Sequence, residues 1–99
     1  MDKHLGTNEE LISFMMQMQN ELRKHRSEKK PLRHLQFEDV MLNNIPEITK
    51  RIEQIQKSSI IIKNDILFKQ SRHHKAIIAK QSVHIANYAM MMWIMATRK

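Results

Sequence analysis

The apolar positions of the chain fall into three stretches with helical spacing. Leu11, Phe14, Met15, Met18 and Leu22 recur at i, i+3, i+4, i+7 and i+11, the period of one face of an amphipathic helix. Thr7-Asn8-Glu9-Glu10 precedes them with the spacing of a capping box, in which the Thr oxygen accepts from a first-turn N–H and the Glu reaches back. A first helix is predicted over 8–26, closed by a loop at 27–31 in which Pro31 turns its neighbour away from helical geometry. From Phe37, the positions Val40, Met41, Ile45, Ile48, Ile52 and Ile55 again have helical spacing. Pro46 lies among them, and its ring and missing N–H predict a kink or break in a second helix over 37–57. The β-branched run Ser58-Ser59-Ile60-Ile61-Ile62 reads as a connector or helix start, because no second strand is available to pair with it. A last helix is predicted over 71–97, capped by Ser71 and carrying Ala76, Ile77, Ala79, Val83, Ile85, Ala86, Ala89 and Met92. Its final third is apolar nearly all round, which places Tyr88 to Met95 at the centre of a bundle or an interface.

Composition narrows the fold class. The chain has 99 residues, with one Gly and two Pro, too little turn chemistry for a many-stranded sheet. The expected fold is a single all-α domain, a bundle of three to four helices. A chain this short buries only about two-thirds of the surface it exposes when unfolded, so completion by dimerisation or tetramerisation is expected. The absence of cysteine excludes a disulfide framework, a zinc ribbon and a thiol nucleophile, and fits a cytoplasmic location. The MDKHLGTNEE start has no apolar core of a secretory signal. The apolar Ile85 to Met95 stretch is about half of the roughly 20 residues that span a bilayer, so no membrane role is expected.

The formal charge of +7 is unevenly distributed. Residues 1–30 balance at +1 and residues 31–65 at zero, whereas the last 34 carry Lys69, Arg72, Lys75, Lys80, Arg98 and Lys99 without any acid. Such asymmetry favours an anionic partner, and Lys69, Arg72, Lys75 and Lys80 form a candidate nucleic-acid surface over about three turns. His73 and His84 return to one helix face but stand about 16 Å apart along the axis, too far to share a metal. A single Gly6 cannot build a Walker loop or another phosphate cradle. Methionine is abundant, and core packing is the first reading of it. Trp93 and Tyr88 could stack on a base, but few aromatics accompany them.

The run Ile77 to Met92, IIAKQSVHIANYAMMM, resembles the last core helix of small MazG-like proteins, the all-α nucleoside triphosphate pyrophosphohydrolases. Those helices are similar to an acid followed three residues on by Asp-Val/Ile-Ala-Asn-Phe/Tyr-Ala-Met-Met, and the match is close from Ile85 to Met91. The basic end of the first helix, Leu22-Arg23-Lys24-His25-Arg26, and a second helix with Glu47 and Glu53 fit the family order. The resemblance implies Mg²⁺ held by carboxylates of the second and last helices. This chain departs from it at the ligands: Gln81 and His84 stand where the last-helix acids would be, and Asn44 and Thr49 lie near expected acids of the second helix. Glu47 and Glu53 remain as metal candidates, and so few carboxylates cannot displace the hydration shell of Mg²⁺ as four would.

Gln81 and His84 share a stripe with Ile77, Tyr88 and Met91, since each residue advances the helix by about 100°. They are expected to face inward and to need hydrogen-bond partners. The leading expectation is a degenerate MazG-like protein, a homo-oligomer that binds a nucleotide or a protein partner through Gln81, His84, Lys80, Tyr88 and Glu47 and needs no cofactor. A basic helical protein that grips nucleic-acid phosphates is the first alternative. The second is an active Mg²⁺-dependent hydrolase using Glu38, Asp39, Glu47 and Glu53.

Overall fold

The computed structural model describes residues 8–24 and 34–98. They form three helices and, among the described residues, no strand: α1 (Asn8–Lys24), α2 (Phe37–Lys63) and α3 (Ser71–Thr97). The all-α expectation holds. α2 and α3 form an antiparallel pair joined by residues 64–70, and α1 lies against α3. No described helix is long and apolar enough to cross a membrane. Thr7 of the predicted capping box and the predicted loop at 27–31 lie outside the described residues.

α2 differs from the sequence expectation in two respects. It runs unbroken through Pro46, which lies inside the helix. Pro46 is exposed, and the carbonyl it leaves without a donor belongs to Leu42, which is 72% exposed, so water can take the missing bond. The helix also continues past Lys57 to Lys63, absorbing the isoleucine run. Tertiary packing decides this end: Ser58 is buried and its hydroxyl lies 3.0 Å from His74 Nδ1 on α3.

Ser71 begins α3 but is not its cap. It is the first helical residue, and Asp65 performs the capping from the connecting loop. The Asp65 carboxylate accepts from the backbone N–H of Lys69 (3.1 Å), Gln70 (2.8 Å) and Ser71 (2.7 Å), and from the Ser71 hydroxyl (2.9 Å). Those N–H groups have no carbonyl partner inside the helix. The same cage fixes the turn in which Phe68 adopts a left-handed φ of 56°, unfavourable for a residue with a Cβ.

The interior is unusual in kind. Buried apolar residues are Val40, Val83 and Met95, whereas Asn44, Ser58, Ser71, Gln81 and Asn87 are buried polar residues. On α2 the line Val40, Asn44, Glu47, Arg51, Gln54, Ser58, spaced alternately by four and three residues, faces α3. Large apolar side chains lie outside instead: Leu42, Ile45, Ile52 and Trp93 are 72%, 53%, 43% and 66% exposed. α1 buries no residue.

Asp65 gives a pH-dependent test of the cap. Burial acts to raise its pKa, but the hydrogen bonds from Gln70, Ser71 and Lys69 outweigh it and hold the carboxyl below its ordinary 3.8. A group depressed in the folded state stabilises fully above its unfolded pKa and loses that contribution as pH falls through the folded value. Thermal unfolding followed by circular dichroism should show a melting temperature that declines as pH drops below about 4. Asp65→Asn should lower the neutral-pH melting temperature and flatten this decline; an unchanged acid limb in the variant would contradict the capping role.

Candidate functional site

The polar lining of the α2–α3 interface converges on Arg51. Its side chain is 20% exposed, and a guanidinium removed from water needs acceptors for its five N–H donors. Arg51 Nη1 donates to Gln81 Oε1 at 2.6 Å, and Nη2 approaches Glu47 Oε1 at 3.5 Å. Gln81 is fixed in turn, because its Nε2 donates to Gln54 Oε1 at 2.6 Å. The guanidinium carbon stands 5.6 Å from the centre of the Tyr88 ring, within cation–π range. Arg51 Nε is buried and makes no hydrogen bond among the described residues. Nε and Nη2 form the side-on edge of the guanidinium, the edge that matches two oxygens of a carboxylate or phosphate. One donor of that edge is unfilled and the other is held only loosely.

Arg51 also lines a pocket of about 240 Å³ where the three helices meet, together with Glu21, Leu22, His84, Asn87, Tyr88 and Met91. Asn87 ties α1 to α3 by donating from Nδ2 to the Met18 carbonyl at 3.2 Å, and its Oδ1 is buried without a partner among the described residues. His84 Nε2 lies 3.7 Å from Glu21 Oε1, an ion pair when the imidazole is protonated, and Glu21 Oε2 also accepts from Lys24 at 2.9 Å. Asn44 anchors the far wall, with Nδ2 3.3 Å from the Tyr88 carbonyl and 3.9 Å from Met91 Sδ.

The residues singled out from sequence divide into groups. His84 and Tyr88 line the pocket, and Gln81 and Glu47 hold Arg51 at its edge. Lys80 lies outside, lining a second depression of about 240 Å³ with Gln17, Glu21, Ala79 and Val83. Lys69, Arg72, Lys75 and Lys80 are exposed. Glu38, Asp39 and Glu53 are exposed as well, and Glu53 stands about 120° around α2 from Glu47.

A divalent ion finds no matching donor set here. The described residues contain no group of three or more His, Cys, Asp or Glu placed to hold a metal. Between Glu47 and Gln81, where a metal would draw ligands from both helices, lies the Arg51 guanidinium. Arg51 is the residue that sequence reasoning missed. The available signal was its spacing, since it stands four residues after Glu47 on the line that also carries Asn44, Gln54 and Ser58.

No family model, curated protein or solved structure matches the chain.

The Arg51 network gives a stability prediction. Gln81→Leu leaves a partly buried charge without its best acceptor and should cost about 1.5–3 kcal/mol. The double variant Arg51→Met/Gln81→Leu replaces both partners with apolar groups and should cost less than the sum of its single substitutions. Urea unfolding of the four proteins measures this coupling, and strict additivity would remove the network.

Proposed function

We propose that the chain binds the phosphate group of a nucleotide in the α1–α2–α3 pocket, with Arg51 supplying the positive charge that a divalent cation supplies in the MazG-like enzymes it resembles. The observation that carries this reading is Arg51 Nε, a buried donor without a hydrogen bond among the described residues, on a guanidinium that lines the pocket. Two phosphate oxygens can accept from Nε and Nη2 once Glu47 yields its loose contact, and Gln81 and Tyr88 keep the guanidinium plane oriented. His84, which lines the pocket 3.7 Å from Glu21 Oε1, adds a second nitrogen from α3.

The size of the pocket limits what it takes. At about 240 Å³ it falls below the roughly 300–1,000 Å³ of sites that enclose a whole drug-sized ligand. It accommodates the phosphate portion, with the nucleoside extending over the α1 side. Asn87 Oδ1 offers an acceptor there for a sugar hydroxyl or base N–H when α1 shifts. Retention without turnover follows from the donor set: the pocket lacks the several carboxylates that would hold a metal and activate water. The function that fits is capture of a nucleotide rather than its hydrolysis.

The nucleic-acid alternative draws on Arg72, Lys75 and Lys80, which are exposed on an α3 that contains no acid. Salt separates the two readings, because backbone-phosphate contacts by several cations weaken steeply with salt, whereas one oriented guanidinium contact depends on it less.

Calorimetric titration of the full chain with pyrophosphate and with deoxynucleoside triphosphates, in EDTA and in Mg²⁺, tests the proposal. Binding that persists in EDTA and falls about ten-fold or more in Arg51→Met, with no phosphate product, is the expected result. Release of pyrophosphate from a triphosphate only in Mg²⁺ would overturn it in favour of the hydrolase.

A further inference from the structure

The connection between α2 and α3 carries an apolar tip that the described residues leave uncovered. Ile66, Leu67 and Phe68 are 86%, 69% and 78% exposed, three consecutive apolar side chains at one end of the antiparallel pair. The tip lies about 20 Å along α2 from Arg51, at 1.5 Å per residue, and has no part in the pocket.

Its shape is set by the backbone. Phe68 N–H donates to the Asp65 carbonyl at 3.1 Å, which closes a four-residue turn with Ile66 and Leu67 at its corners. Phe68 follows with its left-handed φ of 56°, at a position that glycine would fill at no steric cost. The turn is also satisfied without water. The N–H groups of Asn64, Asp65 and Ile66 donate to the carbonyls of Ile60, Ile62 and Asn64, and those of Lys69, Gln70 and Ser71 donate to the Asp65 carboxylate. With Phe68, this accounts for the N–H groups from Asn64 to Ser71 other than that of Leu67. Backbone paired in this way can leave water without the cost of stranded donors.

The charge around the tip has one sign. Lys63 and Lys69 flank it, Arg72 and Lys75 follow in the first turns of α3, and all four are exposed. After Glu53 the only acid in the chain is Asp65, whose carboxylate is committed to the N-terminus of α3. A convex apolar point among cations suits a surface that is anionic outside and apolar beneath. A lipid leaflet offers both layers to such a point without a preformed hole, whereas a nucleic acid offers the phosphates but no apolar layer to receive Ile66 and Leu67.

We propose that the 64–70 connection is a membrane-surface anchor: Ile66, Leu67 and Phe68 enter the acyl boundary of an anionic leaflet while Lys63, Lys69, Arg72 and Lys75 rest on its headgroups. No described helix is long and apolar enough to cross a membrane, and this contact with one leaflet needs none. The sequence expectation of no membrane role rests on span length, which has no bearing on a tip of three residues. The apolar and the electrostatic attraction are each weak alone and act together.

Co-sedimentation of the full chain with vesicles tests the anchor, using phosphatidylcholine alone and an equal mixture with phosphatidylserine. The wild type should bind the anionic vesicles and leave the neutral ones. Phe68→Gly should melt no lower than the wild type, because glycine adopts the left-handed φ freely, yet bind about ten-fold more weakly through loss of the buried ring. Insertion has its own readout: Leu67→Trp in a Trp93→Phe background should shift its fluorescence to the blue on adding anionic vesicles. Binding that Phe68→Gly leaves unchanged, or a tryptophan that stays in water, would reduce the contact to cations alone and overturn the proposal. Failure to sediment with either vesicle would overturn it too, in favour of a protein that covers the tip.

Discussion

Arg51 can be held between α2 and α3 because the positions one turn away on each side are small or polar. Asn44, Glu47, Gln54 and Ser58 share its face, and α3 answers with Gln81 and a tyrosine ring. A guanidinium among leucines would carry an uncompensated charge costing several kcal/mol. Here Nη1 is matched by Gln81 and Nη2 approaches Glu47, whereas Nε has no partner among the described residues. Much else depends on this accommodation. It makes the inner face of α2 polar, it fills the space between Glu47 and Gln81, and it leaves apolar residues to line the opposite face.

The consequence for stability is that the described residues bury little apolar surface fully. Among the described residues Val40, Val83 and Met95 are the buried apolar ones, and the radius of gyration is 16.0 Å against about 13 Å for a compact domain of similar length. Local devices compensate at the ends. The Asp65 cage closes the N-terminus of α3, and the Ser58–His74 contact fixes the end of α2 beside it. α1 is joined through the Asn87–Met18 hydrogen bond and the His84–Glu21 pair. A helix that buries no residue and forms one wall of a pocket can shift more readily than the α2–α3 pair, which fits a ligand entering from its side.

The helices were legible in the sequence to the extent that local chemistry fixes them. The amphipathic stripe from Leu11 to Leu22 and the long run from Ser71 to Thr97 follow from a 3.6-residue period, and both match the described helices; residues 25 and 26, the predicted end of the first, lie outside the described residues. The course of α2 was less legible. Pro46 predicts an interruption from the backbone alone, but its exposed place on the helix lets water take the freed carbonyl. Ile60 to Ile62 are ambiguous in isolation, and the contact of Ser58 with His74, sixteen residues on, decides them. At the pocket, the spacing of Gln81, His84 and Tyr88 on one stripe was readable. Arg51 was not, because an arginine in one sequence reads as a solvated charge until the helix opposite it is known.

The MazG-like resemblance and the geometry meet at one question, namely what holds positive charge between α2 and α3. Crystals of the full chain soaked with pyrophosphate and Mn²⁺, with anomalous differences measured at the manganese edge, address it directly. The predicted result is a phosphate group within hydrogen-bond distance of Arg51 Nε and Nη2 with no manganese between the two helices. Manganese bound at Glu47, with Arg51 displaced, would contradict it.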